Sequence, residues 1–317
     1  MLVPLLLIGA VLYTGYRFRH ELQFWKYSGN KLEKRIDGAR AVKDRDRRLQ
    51  DLEQIAEDID RYKRSNPTDA ESFLLSGKAH YLVGENRMGA SFSDLVINDR
   101  ISDIPPLAAK DFFVSMKDFK KAVSLSRNGK IDMEYSLMLA KACFYTHYIA
   151  PGEIKKLITD AGNADEIEDF DDYRFFAMIL ALNKEEDRSI RMMTERNGAA
   201  TGMQGKLFLA SMEKFAKRYT AALMHYSEVL KETADARIKK LVHSHMGEIY
   251  FNQSLYQESL SHFESAGAID GSDPAVKIWM GKNYSALGDK EKAKSLWSAV
   301  LTADKENSEA KKLLGMP

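Results

Sequence analysis

The feature of this sequence that most constrains its fold is a set of residue types that recurs after 34 positions near the C-terminus. A fixed period of 20 to 50 residues is typical of proteins built from stacked copies of one supersecondary unit. The recurring pairs are Met246 and Met280, Gly247 and Gly281, Tyr250 and Tyr284, Ser259 and Ala293, and Phe263 and Trp297. Because one offset serves all five pairs, this part of the chain is predicted to contain consecutive similar units.

The spacing inside one unit is similar to that of tetratricopeptide repeats, and this resemblance implies two helices that cross closely. Gly281 lets the first helix approach its partner, and Ala293 makes room on the second helix. Tyr284 and Trp297 then fill the space between the two helices. The turn between them is predicted at Gly288, a residue type that commonly ends helices.

This spacing resembles the tetratricopeptide repeat, a unit of two antiparallel helices with a small residue where they cross. The resemblance implies an all-α chain that forms a right-handed superhelical solenoid of about six helix pairs. An earlier unit around residues 209–229 matches three residues out of register, and a more distant one begins near residue 77. By this resemblance the repeat-packing residues are Gly77, Ala210, Ala222, Tyr226, Gly247, Tyr250, Phe263, Gly281, Tyr284, Ala293 and Trp297.

The middle of the chain follows the pattern less closely. Residues 135–145 and 173–182 are apolar nearly all round, as expected of helices buried between neighbouring units. Apolar residues from Leu49 to Tyr62 predict an amphipathic helix that stops at Pro67. An insertion at residues 85–109 contains a helical piece and a Pro105-Pro106 corner. It is predicted to pack onto the array, either with a role in function or as a decoration.

The first sixteen residues, MLVPLLLIGAVLYTGY, contain no charged side chain and predict a transmembrane helix. A helix of this length spans about 24 Å against a hydrocarbon core of about 30 Å, so the predicted span is short. A cleaved signal peptide and a buried helix are the alternatives. We therefore expect an anchor at 1–16, a basic helix or linker at 17–48, and a solenoid at 49–317.

Basic residues behind the predicted span give its orientation. Residues 17–48 contain eleven Lys/Arg against five acids. The positive-inside rule then favours a C-terminal domain in the cytoplasm of a bacterial-type inner membrane. This segment either contacts an anionic leaflet or forms a solvated spacer. The predicted membrane-surface residues are Arg17, Arg19, Lys26, Lys31, Lys34 and Arg35.

Composition and motifs argue against several classes of chemistry. A net charge of +1 disfavours a nucleic-acid-binding protein, and a single cysteine, Cys143, excludes an internal disulfide or a cysteine-cluster metal site. His243 and His245 project about 200° apart on a helix, and His245 with Glu248 gives two ligands, fewer than a zinc site needs. No metal site or cofactor is predicted.

Three further segments suggest chemistry at first sight. Residues 198–207 (GAATGMQGKL) lack the first glycine and the Ser/Thr of a phosphate-binding loop, and are interpreted as a linker. Residues 165–172 (DEIEDFDD) lack calcium-loop spacing, and are interpreted as a solvated helix start. Cys143 and His147 are spaced for a thiolate–imidazole pair, but a cysteine among apolar residues is more typical of a core. The chain is therefore predicted not to be an enzyme.

What remains is the groove that stacked helix pairs create, and it suits a protein partner with carboxylates and apolar anchors. By the family resemblance, the groove positions are Lys78, Tyr81, Lys214, Phe215, Ser244, Glu248, Phe251, Asn252, Ile278 and Lys282. The predicted function is a membrane-tethered interaction scaffold. A building block of a large envelope machine is the alternative, such as a flagellar-motor or secretion-apparatus collar, and an enzyme with a site at Cys143 or His245 is a remote one.

In layout the chain is similar to the bacterial lipopolysaccharide-assembly tetratricopeptide proteins, which also combine an uncharged span, arginines and cytoplasmic repeats. It departs from them in lacking their C-terminal paired-cysteine metal module. The resemblance therefore implies only the topology and an adaptor role.

Overall fold

A computed structural model of the chain describes residues 29–196 and 202–316. All regular secondary structure in these ranges is helical, so the prediction of an all-α fold is confirmed. The helices are α1 Gly29–Arg40, α2 Arg45–Ser65, α3 Ala70–Met88, α4 Phe92–Ile97, α5 Pro106–Leu125, α6 Met133–Tyr145, α7 Pro151–Ala161, α8 Phe170–Leu182, α9 Glu186–Glu195, α10 Gly202–Phe215, α11 Tyr219–Glu232, α12 Ala236–Asn252, α13 Tyr256–Ile269, α14 Pro274–Ala286, α15 Lys290–Ala303 and α16 Ser308–Leu313. A short 3₁₀ turn, Ala164–Glu166, precedes α8.

The chain divides into two compact units. The first unit contains the described residues up to Leu95 together with Arg100–Asn183. The second contains Val96–Asp99 together with the described residues from Lys184 onward. Each unit is therefore assembled from two separate stretches of sequence.

The second unit consists largely of helix pairs packed as the 34-residue spacing predicts. Helix α10 packs against α11, α12 against α13, and α14 against α15. A Cβ atom on Gly247 would lie 2.6 Å from Cε2 of Phe263, and one on Gly281 would lie 2.8 Å from Cδ1 of Trp297. Only glycine allows this approach, because each ring lies directly against the backbone of the partner helix. Tetratricopeptide-like helix pairs are thus confirmed for this unit.

Short turns join the helices of these pairs. Three residues separate α10 from α11, α12 from α13, and α14 from α15. One residue in each turn is left-handed: Lys217 at φ 60°, Ser254 at φ 62° and Gly288 at φ 93°. Connections this short make the two helices of each pair antiparallel neighbours.

In the first unit, the helices on either side of the insertion form a pair with the same close crossing. A Cβ on Gly77 of α3 would lie 2.7 Å from Cδ1 and Cε1 of Phe119 on α5, so the pair is formed by α3 and α5. The intervening segment is shorter than predicted. Helix α3 continues through residues 85–88 to a left-handed cap at Gly89 (φ 69°), and α5 begins at Pro106. The inserted segment is therefore residues 89–105.

Other predicted boundaries also shift by a few residues. The helix expected from Leu49 begins at Arg45, because the side chain of Asp44 accepts a hydrogen bond from the backbone N–H of Arg47 at 2.8 Å. It ends at Ser65 with Asn66 as its C-cap, which confirms the stop predicted at Asn66-Pro67. The two apolar stretches form α6 and α8, whose interiors are buried.

The predicted membrane anchor at residues 1–16, together with Arg17, Arg19 and Lys26, lies outside the described residues. Within residues 29–196 and 202–316, no helix has the length and apolarity to cross a membrane. Lys31 and Lys34 are exposed on α1, whereas Arg35 pairs with Asp58 at 2.8 Å.

Candidate functional site

Several of the predicted groove residues meet in a polar cluster of the second unit. Lys214 lies in the last turn of α10, and His245 and Glu248 lie one turn apart on α12. The segment Val96–Asp99 belongs to the same unit and contributes the other two members, the carbonyl oxygen of Ile97 and the carboxylate of Asp99. We call these five groups the Lys214 cluster.

The lysine is the centre of the Lys214 cluster. Its Nζ donates to Nδ1 of His245 at 2.9 Å, forms a close ion pair with Glu248, and lies 3.2 Å from a carboxylate oxygen of Asp99. Since Nδ1 of His245 accepts, the ring carries its proton on Nε2. That N–H donates to the carbonyl oxygen of Ile97 at 2.7 Å. Both ring nitrogens of His245 are thus held by hydrogen bonds.

Burial strengthens these interactions. The Lys214 and Glu248 side chains are 12% and 17% exposed, and His245 is 3% exposed. Burial by itself would raise the pKa of Glu248, but the neighbouring side chains of His245 and Lys214 outweigh it and lower that pKa to about 2. Glu248 is therefore ionised at neutral pH.

Packing fixes the orientation of the histidine ring. Tyr226 of α11 stacks on His245 with ring centroids 5.5 Å apart and an interplanar angle of 28°. The hydroxyl of Tyr226 is itself hydrogen-bonded to Ser211 at 2.8 Å. The cluster is thus built to hold the segment at Ile97 and Asp99 in place.

The structure separates the remaining predicted groove residues into accessible and buried ones. Phe215 is 44% exposed, Asn252 is exposed, and Ser244 and Phe251 are half-buried. Lys282 pairs with Glu309 at 2.6 Å and lies 4.1 Å above the Trp279 ring. These accessible positions remain predicted contact residues.

Three predicted groove residues are buried, which corrects their assignment as accessible positions. Lys78 is 4% exposed and pairs with Glu134 at 3.2 Å. Tyr81 is 3% exposed, with its hydroxyl 3.0 Å from Glu85. Ile278 is 4% exposed, and its carbonyl accepts from the indole of Trp297 at 3.2 Å. Their helix faces point into the core because neighbouring helices cover them.

The two histidines of the HSHMGE motif have different environments. His243 does not join the Lys214 cluster. Its Nδ1 lies 3.1 Å from Nδ1 of His262, and Tyr250 stacks on the His262 ring at 5.3 Å. Burial lowers the pKa of both histidines. Within the described ranges, no group of three or more His, Cys, Asp or Glu side chains is placed to hold a metal ion.

Cys143 is fully buried in α6. Burial raises the pKa of its thiol to about 11, so the thiolate is scarce at neutral pH. His147 follows the end of α6 with a left-handed backbone (φ 50°) and an exposed side chain. This environment is that of an inert core cysteine.

The acidic stretch at residues 165–172 is less solvated than predicted. Asp171 accepts hydrogen bonds from the backbone N–H groups of Phe92 and Ser93 at 3.0 and 2.8 Å, at the start of α4. Asp172 pairs with the buried Lys141 at 2.6 Å. These contacts hold the pKa of Asp171 below its usual range although burial opposes the shift.

A cleft of about 420 Å³ lies beside Asp171 in the first unit. Two of its lining arginines donate to backbone carbonyls: Arg45 to Asn86 at 2.8 Å and Arg48 to Val42 at 3.0 Å. Glu85 and Asp94 also line it. Both cationic and acidic groups therefore line this cleft.

The chain was compared with known protein families, curated proteins and solved structures. No family model matches the chain, and no curated protein matches it. Similar solved structures include MamA from Desulfovibrio magneticus RS-1, with 15% identity, 56% of this chain and 97% of that one covered, and a TM-score of 0.40. The C-terminal part of a TPR repeat-containing protein from Cytophaga hutchinsonii shows 10% identity, 91% and 100% coverage, and a TM-score of 0.49. Because the sequence identities and TM-scores are low, the assignment of helix pairs rests on the helix contacts described above.

Proposed function

We propose that this protein is a membrane-tethered scaffold that binds other proteins through the helix pairs of its second unit. The observation that carries the proposal is the run of three helix pairs, α10–α11, α12–α13 and α14–α15, of which the last two have glycine–aromatic crossings. Units of this kind offer one face of their first helices to a partner peptide or helix. Phe215 and Asn252 are the accessible residues of the predicted face.

The tether is the second part of the proposal. The uncharged residues 1–16 support it, and the basic residues behind them favour a cytoplasmic second unit at a bacterial-type inner membrane. Extraction of membranes at alkaline pH tests the tether, since a spanning chain stays with the lipid. Protease accessibility in intact and opened cells tests the side.

The structure changes which residues should be used to test partner binding. Reversing the charge of Lys214 would break the Lys214 cluster, so loss of a partner would report misfolding as readily as a lost contact. A photo-crosslinking residue at Asn252 avoids this problem, because Asn252 is exposed at the end of α12. Gln257, exposed on the second helix of the same pair, is the matched control position.

A scaffold predicts that Asn252 crosslinks to a defined protein and that Gln257 does not. Equal products from both positions, or none from Asn252, would contradict the proposed binding face. The stoichiometry of the product separates an adaptor, with few exchanging partners, from a building block present in many fixed copies. The layout likeness to lipopolysaccharide-assembly proteins enters only as the adaptor role.

A further inference from the structure

Helix α5 in the first unit carries an exposed stripe that the scaffold proposal does not use. Its exposed face presents Leu107, Lys110, Phe113, Lys117 and Lys120, spaced three or four residues apart and therefore aligned along one side of the helix. Tyr148, in the turn after α6, lies beside this side. We call these six residues the α5 stripe.

Apolar side chains are unusually accessible along the α5 stripe. Leu107 is 62% exposed, Phe113 45% and Tyr148 53%, with the two rings 6.5 Å apart in an edge-on arrangement. Lysine ammonium groups lie over both rings: Lys117 is 5.8 Å from the Phe113 centroid, and Lys120 is 4.2 Å from the Tyr148 centroid. Basic and apolar groups are thus interleaved on one surface.

The charge of this face is uncompensated. Both acids of α5, Asp111 and Asp118, point to the opposite side, where they pair with Arg87 and with Lys63. In the described part of the chain, no ion pair is formed by the lysines of the α5 stripe. Adjacent like charges on a helix lower its stability, so the fold itself does not favour this arrangement.

We infer that the α5 stripe contacts the surface of an anionic lipid bilayer. The chemistry is complementary: lysines attract acidic headgroups, their methylene stems cover apolar surface, and tyrosine and phenylalanine rings suit the headgroup region. The stripe runs about 20 Å along the ridge of one helix, from Leu107 to Lys120, and a ridge fits a planar surface better than it fits a peptide.

The inference goes beyond the scaffold proposal but rests in part on its tether. A chain anchored by residues 1–16 keeps its folded part near the bilayer, where lysines contribute most because their attraction fades within a Debye length. The tether alone would bind neutral and anionic membranes alike. The α5 stripe adds a dependence on lipid charge.

A single probe can report this contact in the full chain. Ser124 is exposed one turn beyond Lys120, and Cys143 is fully buried, so a Ser124→Cys variant can be labelled at one position with an environment-sensitive fluorophore. The labelled chain is mixed with vesicles of phosphatidylcholine alone or with added phosphatidylglycerol. Quenching by brominated lipid then measures the ratio of lipid-contacting to free probe.

The expected result is quenching on the anionic vesicles and little on the neutral ones. Each lysine should change the contact ratio about fivefold, so Lys117→Glu/Lys120→Glu should lower it about thirtyfold or more. The matched control is Lys292→Glu/Lys294→Glu, which makes the same charge change at two lysines of the second unit that are 63% and 62% exposed. It should leave the quenching unchanged.

Three outcomes would overturn the inference: equal quenching on both vesicles, quenching that survives the double reversal, or equal loss in the control. A photo-crosslinker at Ser124 that captures an acidic protein in native membranes, with no lipid product, would also overturn it. Retention on neutral vesicles reports the tether separately. If the chain leaves neutral vesicles yet stays on anionic ones through Lys117 and Lys120, the tether fails and the α5 stripe stands.

Discussion

Replacing Gly281 by alanine tests whether the close helix crossing is what defines the repeat unit. An alanine Cβ at this position would lie 2.8 Å from Cδ1 of Trp297. The ring cannot move freely, because it is 6% exposed and its N–H donates to the carbonyl of Ile278 at 3.2 Å. Relief of the clash therefore requires α14 and α15 to separate, or Trp297 to leave its site.

The magnitude follows from three opposing contributions. Overpacking of a filled core costs about 1–3 kcal/mol, and loss of the indole hydrogen bond costs about 1 kcal/mol. Alanine favours a helix over glycine by up to about 1 kcal/mol. The net expectation is that Gly281→Ala lowers the free energy of unfolding by about 1–3 kcal/mol.

Urea unfolding of the full chain, followed by far-ultraviolet circular dichroism, measures this difference. The matched control is Gly267→Ala on α13 in the same unit, where the nearest atom to a new Cβ is Cγ1 of Val276 at 3.5 Å, an ordinary contact. This control should be unchanged or stabilised by up to about 1 kcal/mol. Gly281→Ala combined with Trp297→Leu should recover part of the loss.

A Gly281→Ala protein that unfolds at the same or a higher urea concentration than the unsubstituted chain would refute this reasoning. It would mean that the helices tolerate a wider crossing. Failure of the Gly267 control in the same direction would show that the effect belongs to the helix backbone and not to the crossing.

Three more predictions concern buried polar groups. Lys214→Met leaves the Glu248 carboxylate buried without its cation, so it should lower the free energy of unfolding in urea by about 3 kcal/mol. The double variant Lys214→Met/Glu248→Gln should recover most of this loss. A Lys214→Met protein of unchanged stability would disprove the role of the pair. The Cys143 thiol should react with an aromatic disulfide only after denaturant is added, and rapid reaction of the native protein would contradict its burial. Burial lowers the pKa of His243 and His262 in the folded state, so their contribution to stability is present above about pH 6.5 and is lost as the pH falls below it. Between pH 8 and pH 5, His262→Phe should therefore lose less stability, or gain more, than the unsubstituted chain in urea unfolding; identical pH profiles for the two proteins would exclude the pair.

The sequence was sufficient for the local parts of the fold. Helix periodicity, the stop at Asn66 and the turn at Gly288 depend on residues close together in the chain, and the structure places all three as predicted. The glycine–aromatic crossings were also predictable, because a 34-residue period records the same contact twice. These features can be predicted from sequence because each helix pair contacts mainly the helix pairs next to it in the chain.

The accessible binding residues were harder to predict. Family spacing placed Lys78 and Ile278 on an open face, yet both are buried. Residue type and register say which side of a helix a position occupies, whereas exposure depends on what else covers that side. The α5 stripe was not predictable for the same reason. Its lysines form a basic face only because Asp111 and Asp118 point to the opposite side of the helix.

The all-α class, the helix-pair unit and the two glycine–aromatic crossings of the second unit could therefore be predicted from the residues alone. The contacts of Ile97 with His245 and of Asp99 with Lys214, across 148 and 115 residues, were visible only in the folded chain. The physical reason is the range of the interactions. Helix periodicity and turns arise among residues a few positions apart, but a contact across such a separation depends on where the whole intervening chain folds, and no local pattern encodes that.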